Sequence, residues 1–174
     1  MLDMSLPNAP PSTDDKKTVL AVDDDAAVNA ICRAFLEKAG FTVLTATGSS
    51  DALKICKQHQ GSIHLLLTDL VMPPPAFSLA LSGNEFPHVH GHELAVRALR
   101  MRKDLRIVLM SGNVDNDLSA YGIRKGCLPF LPKPFDYESL INLVTHTINE
   151  PPLTPDSLTQ ETLKSPKGAD EWFD

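Results

Sequence analysis

Four apolar runs of this chain end on residues that do chemistry. TVLAVD (18–23) runs into Asp23, Asp24 and Asp25, and IHLLLTD (63–69) stops at Asp69. RIVLMS (106–111) ends on Ser111, and CLPFLPK (127–133) on Lys133. Carboxylates gathered in one crevice repel each other, and a divalent cation relieves that repulsion. An oxygen-rich, partly hydrated site with two or more carboxylates suits Mg²⁺, which keeps some of its waters and accepts phosphate oxygens. An ammonium and a hydroxyl donor beside such a site complement a phosphoryl group in transfer.

The chemistry requires that the ends of these runs meet, and the pattern between them implies that they do. From Thr18 onward the sequence repeats an apolar run, turn residues and an amphipathic stretch five times. Strands are expected at 18–23, 41–46, 63–69, 106–111 and 127–133. The helices between them are expected at 25–40, 49–59, 91–103, 115–126 and 136–149. In the first helix Val28, Ile31, Phe35 and Ala39 share a face, with Asp25 as N-cap and Gly40 as stop. Leu94, Ala95, Ala98 and Leu99 line the third, and Tyr137, Leu140, Ile141, Val144 and Ile148 the last. The stretch 115–126 is a weak helix, with Gly122 in its middle. Alternating strands and helices with uninterrupted apolar strands predict an α/β fold, a parallel sheet covered on both faces. Right-handed crossovers make it a doubly wound three-layer sandwich. Ligands of such sheets bind beyond the carboxyl ends of the strands, where these residues stand.

With 174 residues, 43% hydrophobic and 22% charged, the chain suits one globular domain with tails. A net charge of −6 disfavours a nucleic-acid surface by the whole-chain measure. No run of 18 apolar residues suggests a membrane span, and the first residues lack the pattern of a secretory signal. Cys32, Cys56 and Cys127 are odd in number and set in apolar stretches, which fits reduced packing residues in a cytoplasmic protein. Residues 1–17 read as a disordered arm, 18–149 as the domain, and 150–174 as a Pro-rich acidic tail. That tail is too short for a DNA-binding output domain, so none is expected.

V-D-D-D after the first strand, T-D-L-V-M-P after the third, M-S-G after the fourth and L-P-K-P-F after the fifth resemble the receiver domain of two-component response regulators. The resemblance covers roughly residues 18–149, with the motifs in the family's order. It implies the flavodoxin-like strand order 2-1-3-4-5 and a cis bond before Pro134. It also implies that Asp69 is the phosphoacceptor and that Asp23 and Asp24, with Asp69 and the backbone carbonyl of Val71, hold Mg²⁺. Ser111 then bonds the phosphoryl group, Lys133 is the site lysine, and Phe130 is the aromatic switch residue. The implied partners are a histidine kinase or histidine phosphotransfer protein and a downstream protein. Such a protein is a signalling module that catalyses only its own phosphorylation and dephosphorylation.

Two rival readings share some of these residues. A haloacid-dehalogenase-like, Mg²⁺-dependent phosphatase also uses Asp, Ser or Thr, Lys and Mg²⁺. Its D-x-D-x-T signature would start at Asp23, but Ala27 replaces the Thr, and no acidic pair follows Lys133. A degenerate receiver would act by binding alone; the complete set of site residues argues against it.

The chain departs from the family in its insertion and its tail. Where the family has a short turn before a glycine, residues 74–90, PPAFSLALSGNEFPHVH, intervene before Gly91. Phe77, Leu79, Leu81 and Phe86 are too apolar for a solvated loop and are expected to pack, while the loop acts as a rim near Asp69. His88, His90 and His92 could converge on a metal, but a polar surface loop is the stronger reading. Arg97, Arg100, Arg102, Lys103 and Arg106 read as the solvated face of a helix. Trp172 and Phe173 sit among acids in the tail, where disorder is expected.

Overall fold

The computed structural model describes residues 16–74, 85–113, 116, 118, 120, 121 and 128–158. Among the described residues there are five strands: β1 (Thr18–Val22), β2 (Thr42–Ala46), β3 (Leu65–Asp69), β4 (Arg106–Ser111) and β5 (Phe130–Pro132). The helices are α1 (Ala26–Lys38), α2 (Ser49–Gln58), α3 (Gly91–Met101) and α4 (Tyr137–Asn149). Most of the expected helix over 115–126 lies outside the described residues, as does Cys127.

All strand pairs are parallel, in the order β2-β1-β3-β4-β5. Side chains alternate across each strand, so one strand feeds two cores. Leu20, Val22, Leu66, Ile107 and Leu109 face α2 and α3. Val19, Ala21, Leu65, Leu67, Val108 and Met110 face α1 and α4. Every residue of β1 and β3 is buried, which is why neither run leaves room for a polar face. Burying one Leu contributes roughly 2 kcal/mol, and β3 alone contains three.

The helices keep their expected boundaries to within about two residues. Asp25 caps α1 by accepting from the Ala27 N–H at 2.8 Å, and Gly40 ends its turn at φ 93°. The predicted apolar face of α1, however, is displaced. Asn29, Cys32 and Leu36 are its buried residues, whereas Ile31 is 45% exposed. Apolar residues form two adjacent stripes on this helix, and the sheet takes the stripe through Cys32 and Leu36. Phe35 moves to the flank, edge-on to Tyr137 of α4 at 5.5 Å. In α3, Leu94, Ala95, Ala98 and Leu99 are buried as expected, and in α4 Leu140, Val144 and Ile148 are. Cys32 and Cys56 are buried free thiols, and burial pushes them up to about 12 and about 11.

The basic run is only in part a solvated face. Arg102 turns its guanidinium onto the carbonyls of Cys56, His59 and Gly61, at 2.7, 2.6 and 2.8 Å. It thereby closes the C-terminal end of α2, whose last carbonyls lack helical partners. Arg106 binds the carbonyls of Asp104 and Glu150. Beyond α4 the chain folds back on the domain, with Leu153 against the α2/α3 core and Leu158 buried within it. The first part of the tail therefore belongs to the packed structure; Trp172 and Phe173 lie outside the described residues.

Candidate functional site

The strand order reverses between β1 and β3, and that switch point brings the two acidic strand ends side by side. Asp23 directly follows β1, and Asp69 closes β3. Leu70 hands its N–H to the Met110 carbonyl at 2.8 Å, which ties the end of β3 to β4. Lys133 donates its backbone N–H to the Ser111 carbonyl at 2.8 Å, which ties the end of β5 to β4. The Lys133–Pro134 bond is cis.

These ties bring the predicted acidic and basic residues together. Oxygens of Asp23, Asp24 and Asp69 lie within 4.8 Å of one another. Lys133 Nζ stands 2.5 Å from Asp23 Oδ2 and 3.3 Å from Asp69 Oδ1. Asp23 also accepts the Asp25 N–H at Oδ1, at 2.9 Å. Asp23 is 1% and Asp69 7% exposed, while Asp24 faces solvent. Ser111 is buried, and its Oγ accepts the Asn113 N–H at 3.0 Å. Phe130 stands opposite Leu109 in the sheet register and packs, partly buried, against the α2/α3 core.

Electrostatically the cluster is short of positive charge. Burial pushes the Asp69 carboxyl up to about 6; Asp23 and Asp24 push the same way, and Lys133 opposes them. Burial by itself would lower the Lys133 pKa. Its hydrogen bond to Asp23 and the charges of Asp69 and Asp23 outweigh that and hold it above the ordinary value. One ammonium among three carboxylates leaves two negative charges when all are ionised. Hard oxygen donors carrying that excess fit a divalent cation, so the cluster is able to hold one.

The loop after β3 contains the residues that sequence reasoning placed wrongly. The three histidines do not converge as a metal site, because among the described residues the only such group is the aspartate cluster. Nor do they form a polar surface loop. His88 Nε2 bonds the Met72 carbonyl at 2.8 Å, and the Met72 N–H bonds His90 Nδ1 at 3.3 Å. Val89 N–H donates to Ser49 Oγ, at the start of α2, at 2.8 Å. Phe86 packs in the core as expected, together with Val89, while Phe77, Leu79 and Leu81 lie outside the described residues. Gly91 returns to the site itself: a Cβ there would stand 2.0 Å from the Asp69 carbonyl oxygen. Only a residue without a side chain lets α3 start against that strand end. The gap before Gly91 was visible in the sequence; its contact with Asp69 was not.

A family model described as the response regulator receiver domain matches residues 19–76, from β1 into the insertion. The chain is 30% identical over 132 residues to the DNA-binding transcriptional regulator NtrC of Azospirillum brasilense, covering 76% of this chain and 24% of that protein. It is 25% identical to the two-component response regulator ARR10 of Arabidopsis thaliana, over 76% of this chain and 21% of that one. Among solved structures, the receiver domain of the hybrid histidine kinase CckA is 25% identical with a TM-score of 0.57, covering 76% of this chain and 99% of that one. The chain carries a receiver domain of two-component response regulators. It spans about a quarter of the length of the curated relatives it first matches.

One expectation is overturned by these relatives. The shortness of the tail argued against a DNA-binding output domain, but the matched NtrC proteins are DNA-binding regulators in which this domain is about a quarter of the length. Tail length therefore does not decide the output. No helix among the described residues is long and apolar enough to cross a membrane.

Proposed function

We propose that residues 18–149 form a phosphorylation-operated switch that accepts a phosphoryl group on Asp69. The observation that carries this reading is the convergence of three carboxylates, with Lys133 bridging Asp23 and Asp69. Asp69 is the nucleophile: a carboxylate oxygen attacks phosphorus, and the donor's leaving atom departs with the bonding electron pair. Asp23, Asp24, Asp69 and the Val71 carbonyl would hold Mg²⁺, which would supply positive charge to the phosphoryl oxygens.

Lys133 holds Asp69 in place before transfer and then exchanges that contact for a phosphoryl oxygen. Ser111 donates its hydroxyl hydrogen to another, and Phe130, on the neighbouring strand, repacks in response. The partly buried position of Phe130 supports that role, since it has both a core contact and an exposed side. Hydrolysis of the acyl phosphate by water resets the switch, so the domain's only catalysis is on itself. Reduced, buried Cys32 and Cys56 fit a cytoplasmic setting.

Incubation with Mg²⁺ and a small donor such as phosphoramidate, followed by intact-protein mass spectrometry, tests the reading. One labile phosphate is expected on the wild type and none on Asp69→Asn. Equal labelling of the two proteins, or none of the wild type, overturns it.

A further inference from the structure

We infer that His88 and His90, at the end of the insertion, clamp the backbone of Met72 and thereby aim the Val71 carbonyl at the metal position. This rests on the site reading above and adds two positioning residues to it.

One peptide plane links the clamp to the metal position. The Val71 C=O and the Met72 N–H belong to the same planar trans unit and point in opposite directions. Holding the N–H therefore orients the carbonyl. His90 Nδ1 holds it, at 3.3 Å, and His88 Nε2 holds the next carbonyl, that of Met72, at 2.8 Å. Leu70, on the other side of Val71, is held at both ends: its N–H by Met110 and its carbonyl by the Gly91 N–H at 3.0 Å. Met72 itself is wholly buried, so polar groups of its backbone left unpaired would be costly. Pro73 follows it, which favours an extended backbone at Met72.

The bonds also define the tautomers. The Met72 carbonyl can only accept, so His88 carries its hydrogen on Nε2. Its Nδ1 is then an acceptor, 3.4 Å from Ser49 Oγ, whose other side takes the Val89 N–H. His90 accepts at Nδ1 and so carries its hydrogen on Nε2. The His90 ring lies between His88, edge-on at 5.8 Å, and Tyr121 at 5.1 Å. Buried Phe86 and Val89 anchor the segment that presents both rings. The inserted residues thus supply, through side chains, a hold on the metal-side loop.

Two substitutions separate the acceptor from the ring. His90→Phe keeps a ring against Tyr121 but removes the acceptor; His90→Asn places an amide oxygen near the lost Nδ1. In the metal-free protein, His90→Phe should speed hydrogen exchange at the Met72 amide, and His90→Asn should restore its protection. Mg²⁺ titration by NMR should show binding weakened about tenfold in His90→Phe, the scale seen for groups that orient metal ligands. Affinity should return to near the wild-type value in His90→Asn. His88→Ala should weaken binding and His88→Gln, which restores an N–H donor, should recover it. Urea unfolding of each variant checks that the fold persists, and if His90→Phe does not fold, His90→Asn against the wild type decides. Wild-type Mg²⁺ affinity in His90→Phe and His88→Ala, or no recovery in His90→Asn, sinks the clamp alone. No Mg²⁺ binding by the wild type sinks the site reading and the clamp with it.

Discussion

Asp69 pays for its position at the strand end in stability. Its carboxyl is pushed up to about 6, chiefly by burial, from the 3.8 of an unburied group. A raised acid favours the fold while it is neutral. That contribution is present below pH 3.8 and is lost as pH rises through 6, so the ionised site weakens the metal-free fold at neutral pH. Asp69→Asn should therefore be more stable than the wild type by about 1–3 kcal/mol at neutral pH without metal, with the gap closing in acid. Urea unfolding across that range checks it, and excess Mg²⁺ should narrow the gap. His64 behaves in the opposite sense. Its Nδ1 accepts the Thr18 N–H at 2.9 Å, and burial, with Lys17 and Arg106 nearby, lowers its pKa. Its contribution is present above the ordinary histidine value of 6.5 and is lost as pH falls below it. In His64→Gln the fall in stability on acidification should be shallower than in the wild type, as read by unfolding at several pH values.

At the scale of elements, two contacts lock helices to the frame of the site. Arg102 reaches from the end of α3 to three carbonyls at the end of α2. Arg102→Ala should cost about 1–3 kcal/mol in urea unfolding, the range for a lost set of charge-assisted hydrogen bonds. Arg102→Lys should recover little, because one ammonium cannot reproduce the guanidinium fork. Gly91 sets α3 against the Asp69 carbonyl. Gly91→Ala forces the helix or the strand end to shift, at a cost of about 1–3 kcal/mol or more, and displaces Asp69. Loss of stability together with weakened phosphorylation is the expected result, whereas an unchanged protein would mean that the contact relaxes freely.

Across the whole molecule, the end of the insertion, residues 85–90, is part of the fold rather than an addition to it. Phe86 and Val89 join the core that also contains Leu53, Leu66 and Leu94. Phe86→Ala should cost about 3 kcal/mol, the effect of emptying a buried aromatic position, where a surface loop would cost almost nothing. A urea midpoint equal to that of the wild type would return the segment to the status of a free loop.

The strands and the residues at their carboxyl ends were legible because both follow from local signals, whereas the strand order was implied by the family resemblance and not by any local pattern. Continuous apolar runs mark strands buried on two faces, and chain connectivity then places Asp23, Asp69, Ser111 and Lys133 at the carboxyl ends of their strands. The face that α1 buries was not legible, since two apolar stripes compete and only the sheet's position chooses between them. His88 and His90 were equally opaque: their spacing suits a metal, a surface or a clamp, and the Met72 backbone that selects the clamp is 16 and 18 residues away. Arg102 looked like one more solvated cation until α2 packed beside it. Residue type and order determined which groups the site contains. Tertiary packing decided how they are held, because burial, peptide-plane orientation and long-range hydrogen bonds carry no periodic trace in the chain.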